Sequence, residues 1–305
     1  MPHPFASRGG AVALLAATLL GCATPAAPPM VAVTSTSSST ASSTTTTMAP
    51  LSRDQIAAIV ASPDRSAADR TNDLRRHPAD MLMFIGPKPG STALDVSTGG
   101  GYTTELLARA IGPTGLVWAQ SQPRDPNKAV TKPAAPEGGA APMAPAPAPA
   151  KPRTTADVLA DRGAEMKAAG IAAAPIAYVG QRFDNPVPPE AANGQLDLVT
   201  LMFNYHDFGY MGVDRTAMNR AIFQSLKPGG FYVIADHAGR PGTGISEAGT
   251  LHRIEESFLR GEVEAAGFKL AAEGDFLRNP SDPRDQNTPN PPQPKDEFVL
   301  KFVKP

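Results

Sequence analysis

The chain has 305 residues, enough for one α/β domain of ordinary size with additional tails. Its formal net charge is −1, and this charge does not favour binding to nucleic acid or to an anionic membrane surface. The one cysteine excludes an internal disulfide, and 33 prolines, concentrated in a few stretches, predict disordered segments rather than a second domain.

Residues 1–21 have the pattern of a signal peptide. Arg8 precedes an apolar run, residues 11–20, which is too short to span a bilayer as a stable helix. The run ends in Leu-Leu-Gly-Cys, which resembles the lipobox of bacterial lipoproteins and implies that Cys22 is lipidated. Thr24 stands two residues beyond the cysteine, which by the same resemblance favours the outer membrane over the inner one. The sequence therefore predicts an exported, periplasmic protein with a lipid anchor in the outer membrane.

The rest of the N-terminal part divides into a tether and the start of a domain. Residues 22–50 are mostly Ser, Thr, Pro and Ala, which predicts a flexible tether, and the folded domain is expected to cover residues 51–305. Short helices are predicted at 54–61 and 78–85. Four charged residues between these helices either line a ligand cleft or form a solvated helix face, and the second interpretation is favoured; they are Arg70, Asp73, Arg75 and Arg76.

A strand, a glycine-rich turn, a helix and a second strand follow between residues 92 and 120. The strand at 93–96 contains Asp95, the glycines are residues 99–101, and the helix starts at Tyr102. Glycines in the first turn of a βαβ unit let a ligand approach the backbone and the helix N-terminus. The dinucleotide fingerprint would need its third glycine where Thr104 stands, so that fingerprint is not met.

This segment resembles motif I of the class I S-adenosylmethionine-dependent methyltransferases. That motif is an acidic residue followed by G-x-G-x-G, and here Asp95 is followed by Ser97, Gly99 and Gly101, with serine in the first glycine position. The resemblance implies that S-adenosylmethionine is the cofactor. The alternative is a tight turn in another doubly wound fold.

Strands and helices continue to alternate towards the C-terminus, after a proline-alanine insertion at 122–152 that is predicted to be a disordered loop. Strands are predicted at 176–179, 196–203, 231–235, 268–273 and 298–303, and helices near 155–169, 215–226 and 250–266. The resemblance extends to the Leu-Lys-Pro-Gly-Gly turn at 226–230. The predicted fold is an α/β, doubly wound, mostly parallel seven-stranded sheet with an antiparallel C-terminal strand.

The resemblance also implies a set of cofactor-binding residues at the carboxyl ends of the strands. The family usually has an acidic residue at the end of the second strand to bind the ribose, and here Gln120 offers no charge. Gln181 occupies the position expected near the adenine, with Asp184 nearby as a substitute. The full set is Asp95, Ser97, Gly99, Gly101, Gln120, Gln181 and Asn204.

Three residues after the next two strands are candidates for catalysis. His206 with Asp207, and His237, follow predicted strands, and histidine titrates near neutral pH, so they are the candidate bases. The alternative, that each histidine only caps a strand, is equally favoured. No ligand spacing supports a metal site made of these three residues, so no metal is predicted.

The function predicted from these features is methyl transfer from S-adenosylmethionine to an unidentified small molecule or cell-envelope component. S-adenosylmethionine is charged and does not cross a bilayer unaided, which conflicts with export. The alternative is therefore a non-catalytic, ligand-binding or inactive relative in the envelope. A nicotinamide-dependent oxidoreductase is a distant third, because the third glycine of its fingerprint is absent.

Overall fold

The structure is a computed structural model that describes residues 49–123, 153–289 and 293–305. The helices are α1 (Arg53–Ala61), α2 (Ala67–Arg76), α3 (Pro78–Ile85), α4 (Tyr102–Ile111), α5 (Thr155–Ala168), α6 (Asp207–Tyr210), α7 (Arg215–Ser225) and α8 (Glu256–Ala265). The strands are β1 (Thr92–Val96), β2 (Leu116–Gln120), β3 (Ile176–Val179), β4 (Leu196–Met202), β5 (Leu226–His237), β6 (Lys269–Gly274) and β7 (Glu297–Val303). Within these ranges, no helix has both the length and the apolar character needed to cross a bilayer.

The seven strands form one sheet in the order β3-β2-β1-β4-β5-β7-β6. Strands β1 to β5 pair in parallel, and β7 is antiparallel to both of its neighbours, β5 and β6. The predicted fold class is confirmed. The chain moves outwards from β1 to β3 on one side and from β4 onwards on the other, so the carboxyl ends of β1 and β4 form the switch point where ligands bind in open α/β sheets.

Helices cover both faces of the sheet, which explains the continuous apolar run in β4. Successive side chains of a strand point to opposite faces. Leu198 belongs to a buried cluster with residues of α3, α4 and α5, whereas Val199 belongs to a cluster with residues of α7 and α8. A smaller cluster, which includes Ile56 of α1 and Leu82 of α3, packs α1 against α3 and α4. The apolar residues of β4 are therefore buried whichever way they point.

A sharp turn places α2 beside the switch point. Ser66 caps the start of α2, and its side chain accepts a hydrogen bond from the backbone of Asp69. His77 ends the helix in the left-handed conformation, with φ of 42°, and Pro78 begins α3 directly afterwards. Because the chain turns here, the face of α2 that carries Arg76 reaches the turn after β1.

Two predicted boundaries differ from the structure. β5 begins at Leu226 rather than at residue 231, because Leu226 pairs with Leu196 before the irregularity at the Pro-Gly-Gly sequence. α8 begins at Glu256 rather than near residue 250, because Ile254 forms a bridge with Ala238 at the end of β5. The predicted signal peptide, Cys22, nearly all of the tether and nearly all of the proline-alanine insertion lie outside the described residues.

Candidate functional site

A cleft of about 190 Å³ lies at the carboxyl ends of β1 and β4. Helices α2 and α5, the segment from β1 to α4, and the carboxyl end of β4 with the residues after it contribute to its lining. The lining residues are Asp69, Asn72 and Arg76 of α2, residues 95, 97–100, 102 and 103 of the β1–α4 segment, Arg162 of α5, and Met202 with Asn204. The cleft is thus at the switch point, where the sequence predicted the cofactor.

The glycines of the β1–α4 turn have different surroundings. Gly99 and Gly100 are exposed and line the cleft, and a Cβ atom on Gly100 would meet nothing within 4 Å. Gly101 is buried, and a Cβ atom there would lie 2.8 Å from Leu159 and 2.9 Å from Arg162 of α5. The absence of a side chain at Gly101 therefore makes room for α5. It does not serve the close approach of a ligand, which the resemblance implied for this position. The backbone that a ligand can reach belongs to Gly99 and Gly100.

The buried carboxylate of Asp95 stabilises this turn through hydrogen bonds. It is fully buried and accepts hydrogen bonds from Thr104 Oγ1 at 2.6 Å and from Thr200 Oγ1 at 2.7 Å. Burial raises the pKa of Asp95, while the threonine hydroxyl groups oppose that shift. Since Thr104 lies in α4 and Thr200 in β4, the carboxylate fixes the helix N-terminus relative to the switch point.

Gln120 does not face the cleft as the ribose assignment requires. It is fully buried at the end of β2, where its Oε1 accepts from the backbone of Ser97 at 3.0 Å. Its Nε2 donates to the backbone carbonyl of Gln181 at 2.7 Å. Gln120 therefore joins the β1 turn to the segment after β3, and the side chain of Gln181 borders a separate depression near α7. Asp184, the predicted substitute, pairs with Arg182 at 2.6 Å.

Arg76 is a cation in the cleft without a carboxylate partner among the described residues. Its guanidinium lies 5.2 Å from the ring centre of Tyr102 and 4.7 Å from that of Phe203, and its buried Nε has no hydrogen-bond partner in the part of the chain that the structure describes. Burial lowers the pKa of Arg76, and the adjacent Arg75 lowers it further. An arginine held between two rings and left without an anion is suited to bind the carboxylate of a ligand.

Arg162 of α5 connects this helix to α2, to α4 and to the glycine turn between β1 and α4. Its Nε donates to the backbone carbonyl of Gly100 at 2.6 Å, and its Nη1 pairs with Asp69 at 2.6 Å and also with Glu105. The two carboxylates are buried, on α2 and α4 respectively. Sequence reasoning missed Arg162 because nothing near it in the chain indicates partners 93 and 57 residues away.

His206 lies between two carboxylates after β4. Its Nδ1 is 2.6 Å from Asp236 Oδ1 at the end of β5, and its Nε2 is 3.0 Å from Asp207 Oδ1. Burial opposes the charge on the imidazole, but Asp236 and Asp207 outweigh it and raise the pKa of His206 to about 10. Because both ring nitrogens face carboxylates, His206 is not arranged to accept a proton from a substrate.

His237 lies next to His206, and its position does not suit a catalytic base either. Its Nδ1 is 2.8 Å from Glu297 Oε1, at an angle outside that of a hydrogen bond, and Glu297 also pairs with Arg75 at 2.9 Å. Burial lowers the pKa of His237 well below its ordinary value. Its ring contacts those of Phe203 and His206, with centres 5.6 and 5.4 Å apart. His237 thus packs within the end of the sheet.

His252 joins this group although the sequence gave it no role. Its Nδ1 is 3.3 Å from Asp207 Oδ1, and its backbone has φ of 50° in the segment before α8. Asn204 donates from Nδ2 to Asp207 Oδ2 at 3.0 Å and also lines the cleft. The cleft and the histidine cluster are therefore adjacent, with Asn204 between them. The sequence placed His252 in a helix predicted from residue 250, which would lie in the outer helical layer, and so gave no reason to expect His252 near Asp207. In the structure His252 precedes α8.

Comparison with models of known protein families finds no match, and neither does comparison with the sequences of curated proteins. Several solved structures are similar. A SAM-dependent methyltransferase from Aquifex aeolicus is 14% identical, with a TM-score of 0.48, over 84% of this chain and 100% of its own. A TehB-like SAM-dependent methyltransferase from Corynebacterium glutamicum is 15% identical, with a TM-score of 0.42, over 78% and 99%. The [4+2]-cyclase SpnF is also 15% identical, with a TM-score of 0.47, over 79% and 85%. At such identities the similarity concerns the fold alone.

Proposed function

We propose that the chain binds S-adenosylmethionine in the cleft and transfers its methyl group to a small molecule or a cell-envelope component. The observation on which this rests is the combination, at the switch point of the sheet, of the exposed Gly99–Gly100 backbone with the Arg76 guanidinium, which has no carboxylate partner within the described ranges. Exposed glycine backbone accommodates a close ligand, and a guanidinium without an anion binds a carboxylate. The amino-acid end of S-adenosylmethionine has such a carboxylate.

The described residues fit the amino-acid end of S-adenosylmethionine but do not fit its ribose. Arg76 and Asn72 of α2 would hold the amino-acid end against the turn at Gly99 and Gly100. For the ribose, the end of β2 supplies Gln120, which is buried and bonded to the protein through both of its amide atoms. When bound, the cofactor would supply an electrophilic methyl group on a sulfonium. The contribution of the chain is positioning, since methyl transfer of this type is a direct displacement.

The acceptor would lie on the side of Asn204, next to Asp207 and His206. His206 and His237 do not act as the proton acceptors that the sequence suggested, because the first lies between two carboxylates and the second is enclosed beside Glu297. Asn204 lines this side of the cleft, and the partly exposed Asp207 lies next to it and accepts its hydrogen bond. They orient an acceptor through hydrogen bonds.

A second candidate is a non-catalytic envelope protein that binds a different carboxylate-containing ligand. The buried Gln120 supports it, because a site without a ribose acceptor loses the interaction that would select a nucleoside. In this function Arg76 would still bind the carboxylate. The two candidates therefore differ in whether an adenosine group strengthens binding.

The deciding experiment is calorimetric titration of the full chain with S-adenosylmethionine and S-adenosylhomocysteine, using methionine as the ligand without adenosine. Methyl transfer predicts micromolar binding of both adenosine compounds, which weakens at least about tenfold, or about 1.4 kcal/mol, in Arg76→Gln. Arg70→Gln is the matched control, because Arg70 lies on the same helix and its side chain donates, among the described residues, only to the backbone carbonyl of Ser62. No binding of either adenosine compound by a folded chain would reject the cofactor assignment.

We also propose that the chain is exported, lipidated at Cys22 and held at the outer membrane. The support is the sequence pattern of residues 1–24, which includes the apolar run and the Leu-Leu-Gly-Cys ending. Labelling of producing bacteria with palmitate should mark the protein and should leave a Cys22→Ser variant unmarked. Equal labelling of the two would exclude this anchor.

A further inference from the structure

We propose that His206, Asp207 and His252 bind a divalent first-row transition-metal ion. Each of the three residues offers one ligand atom, and these atoms all lie within 4.8 Å of one another. Two imidazoles and one carboxylate suit zinc and the neighbouring ions such as iron(II) and cobalt(II). The sequence predicted no metal, because His252 is 45 residues away from Asp207 and no local ligand spacing connects them.

Two of the three distances between the ligand atoms are those of neighbours around one ion, and the third is at most 4.8 Å. Asp207 Oδ1 is 3.0 Å from His206 Nε2 and 3.3 Å from His252 Nδ1. Ligands about 2.0–2.2 Å from a zinc ion, at angles between octahedral and tetrahedral, lie about 3–3.5 Å apart. A small movement of the side chains is therefore sufficient to bring the three atoms onto a common ion.

Two further residues orient the ligand atoms. Asp236 Oδ1 is 2.6 Å from Nδ1 of His206, which directs the opposite nitrogen, Nε2, towards Asp207. Asn204 donates to Oδ2 of Asp207, which leaves Oδ1 for the ion. A carboxylate on the far nitrogen of a ligating histidine is the common outer arrangement of protein metal sites. Asp236 is fully buried and also accepts from the backbone of His206 at 2.8 Å, so its orientation is fixed.

The cluster is accessible on one side. The His206 side chain is 3% exposed, whereas those of Asp207 and His252 are 20% and 17% exposed. An ion can therefore enter from solvent and keep positions for water or another ligand beside the three protein atoms. Asn204 places this open side next to the cleft. The metal site does not depend on the proposed cofactor, and its test uses metal ions alone.

The test is titration of the full chain, without a histidine tag and after removal of metals by a chelator, with cobalt(II). The wild type should develop visible absorption bands that saturate at one ion per chain and disappear when zinc is added. Asp207→Asn and His252→Asn should each weaken cobalt binding more than tenfold; asparagine tolerates the left-handed backbone at position 252. Asp236→Asn should weaken it about 10–100-fold, because it removes the carboxylate that holds the far nitrogen of the ligand His206.

His77→Asn is the matched control, since His77 is also in the left-handed conformation and lies outside the cluster. X-ray absorption of the zinc-loaded wild type requires no variant and should count two imidazole ligands. The proposal is overturned if the folded wild type shows no saturable cobalt bands, or if zinc has fewer than two imidazole ligands. Binding that is unchanged in a folded Asp207→Asn or His252→Asn chain overturns it as well.

Discussion

Two adjacent glycines in the turn after β1 have different surroundings. Gly100 lines the cleft, and a Cβ atom on it would meet no described residue within 4 Å, whereas a Cβ atom on Gly101, with φ of 78°, would lie against Leu159 and Arg162 of α5. The motif suggests that Gly101 approaches the ligand, but the packing of α5 occupies the space beside Gly101 and leaves the space beside Gly100 open to the cleft. Spacing within a motif does not distinguish a glycine needed by the protein core from one needed by a ligand.

Substitution of these two glycines by alanine should separate stability from binding. Gly101→Ala should reduce the free energy of unfolding by about 1–3 kcal/mol, because its Cβ atom would overlap α5 in a strained backbone conformation. Gly100→Ala should leave stability within about 1 kcal/mol of the wild type. The same change should weaken S-adenosylmethionine binding about tenfold, because the new methyl group projects into the cleft.

Denaturant unfolding and calorimetric titration of both variants are the measurements. Equal stability of the two variants would contradict the packing of α5 against Gly101. Binding that is unchanged in Gly100→Ala would show that the ligand does not approach this turn.

At the scale of elements, a few charged side chains hold the helices around the cleft. Arg162 of α5 contacts Asp69 of α2 and Glu105 of α4, and all three side chains are at most 15% exposed. Removal of one partner from a buried ion pair leaves the remaining charges without compensation. The relative position of α2, which carries Arg76 into the cleft, therefore depends on α5.

Arg162→Gln should lower the free energy of unfolding by about 3 kcal/mol, because the buried Asp69 loses its counter-ion and the buried Glu105 keeps only Arg109. Arg260→Gln is the matched control, since Arg260 pairs with Glu264 and Glu273 at the surface and its side chain is 43% exposed. This second change should cost less than about 1 kcal/mol. Chemical denaturation of both variants tests the difference, and equal losses would contradict the role assigned to Arg162.

At the scale of the whole molecule, the last strand of the chain, β7, occupies an interior position in the sheet. β7 lies between β5 and β6, and Phe298, Val299, Leu300 and Phe302 are fully buried. Each buried side chain of this kind stabilises a domain by about 1.5–3 kcal/mol, and the whole stability of a domain is about 5–15 kcal/mol. The fold therefore depends on its C-terminal residues.

Deletion of residues 297–305 should abolish cooperative thermal unfolding, because β5 and β6 would lose their common neighbour. Deletion of Pro305 alone is the control, since this residue is exposed and lies beyond β7. Circular dichroism during heating distinguishes the two chains. A cooperative transition in the longer deletion would show that β1 to β5 form a stable sheet by themselves.

The sequence by itself determined the fold class, the antiparallel last strand and the location of the glycine turn after β1. These features depend on interactions between residues close in the chain, such as the alternation of side chains in a strand and the glycines that end or begin a helix. The interior of β4 is an example, since its continuous apolar run indicated burial on both faces before any partner was known.

Only the tertiary structure decided the polar chemistry. It buried Gln120, left Arg76 without an anion among the described residues, and brought His252 to Asp207 and Arg162 to Asp69 across 45 and 93 residues of chain. The direction and partners of a polar side chain are set by which distant elements pack around it, and one sequence contains no local pattern for such contacts. The start of α8 followed the same rule, because pairing of Ile254 with Ala238 outweighed the local preference for helix.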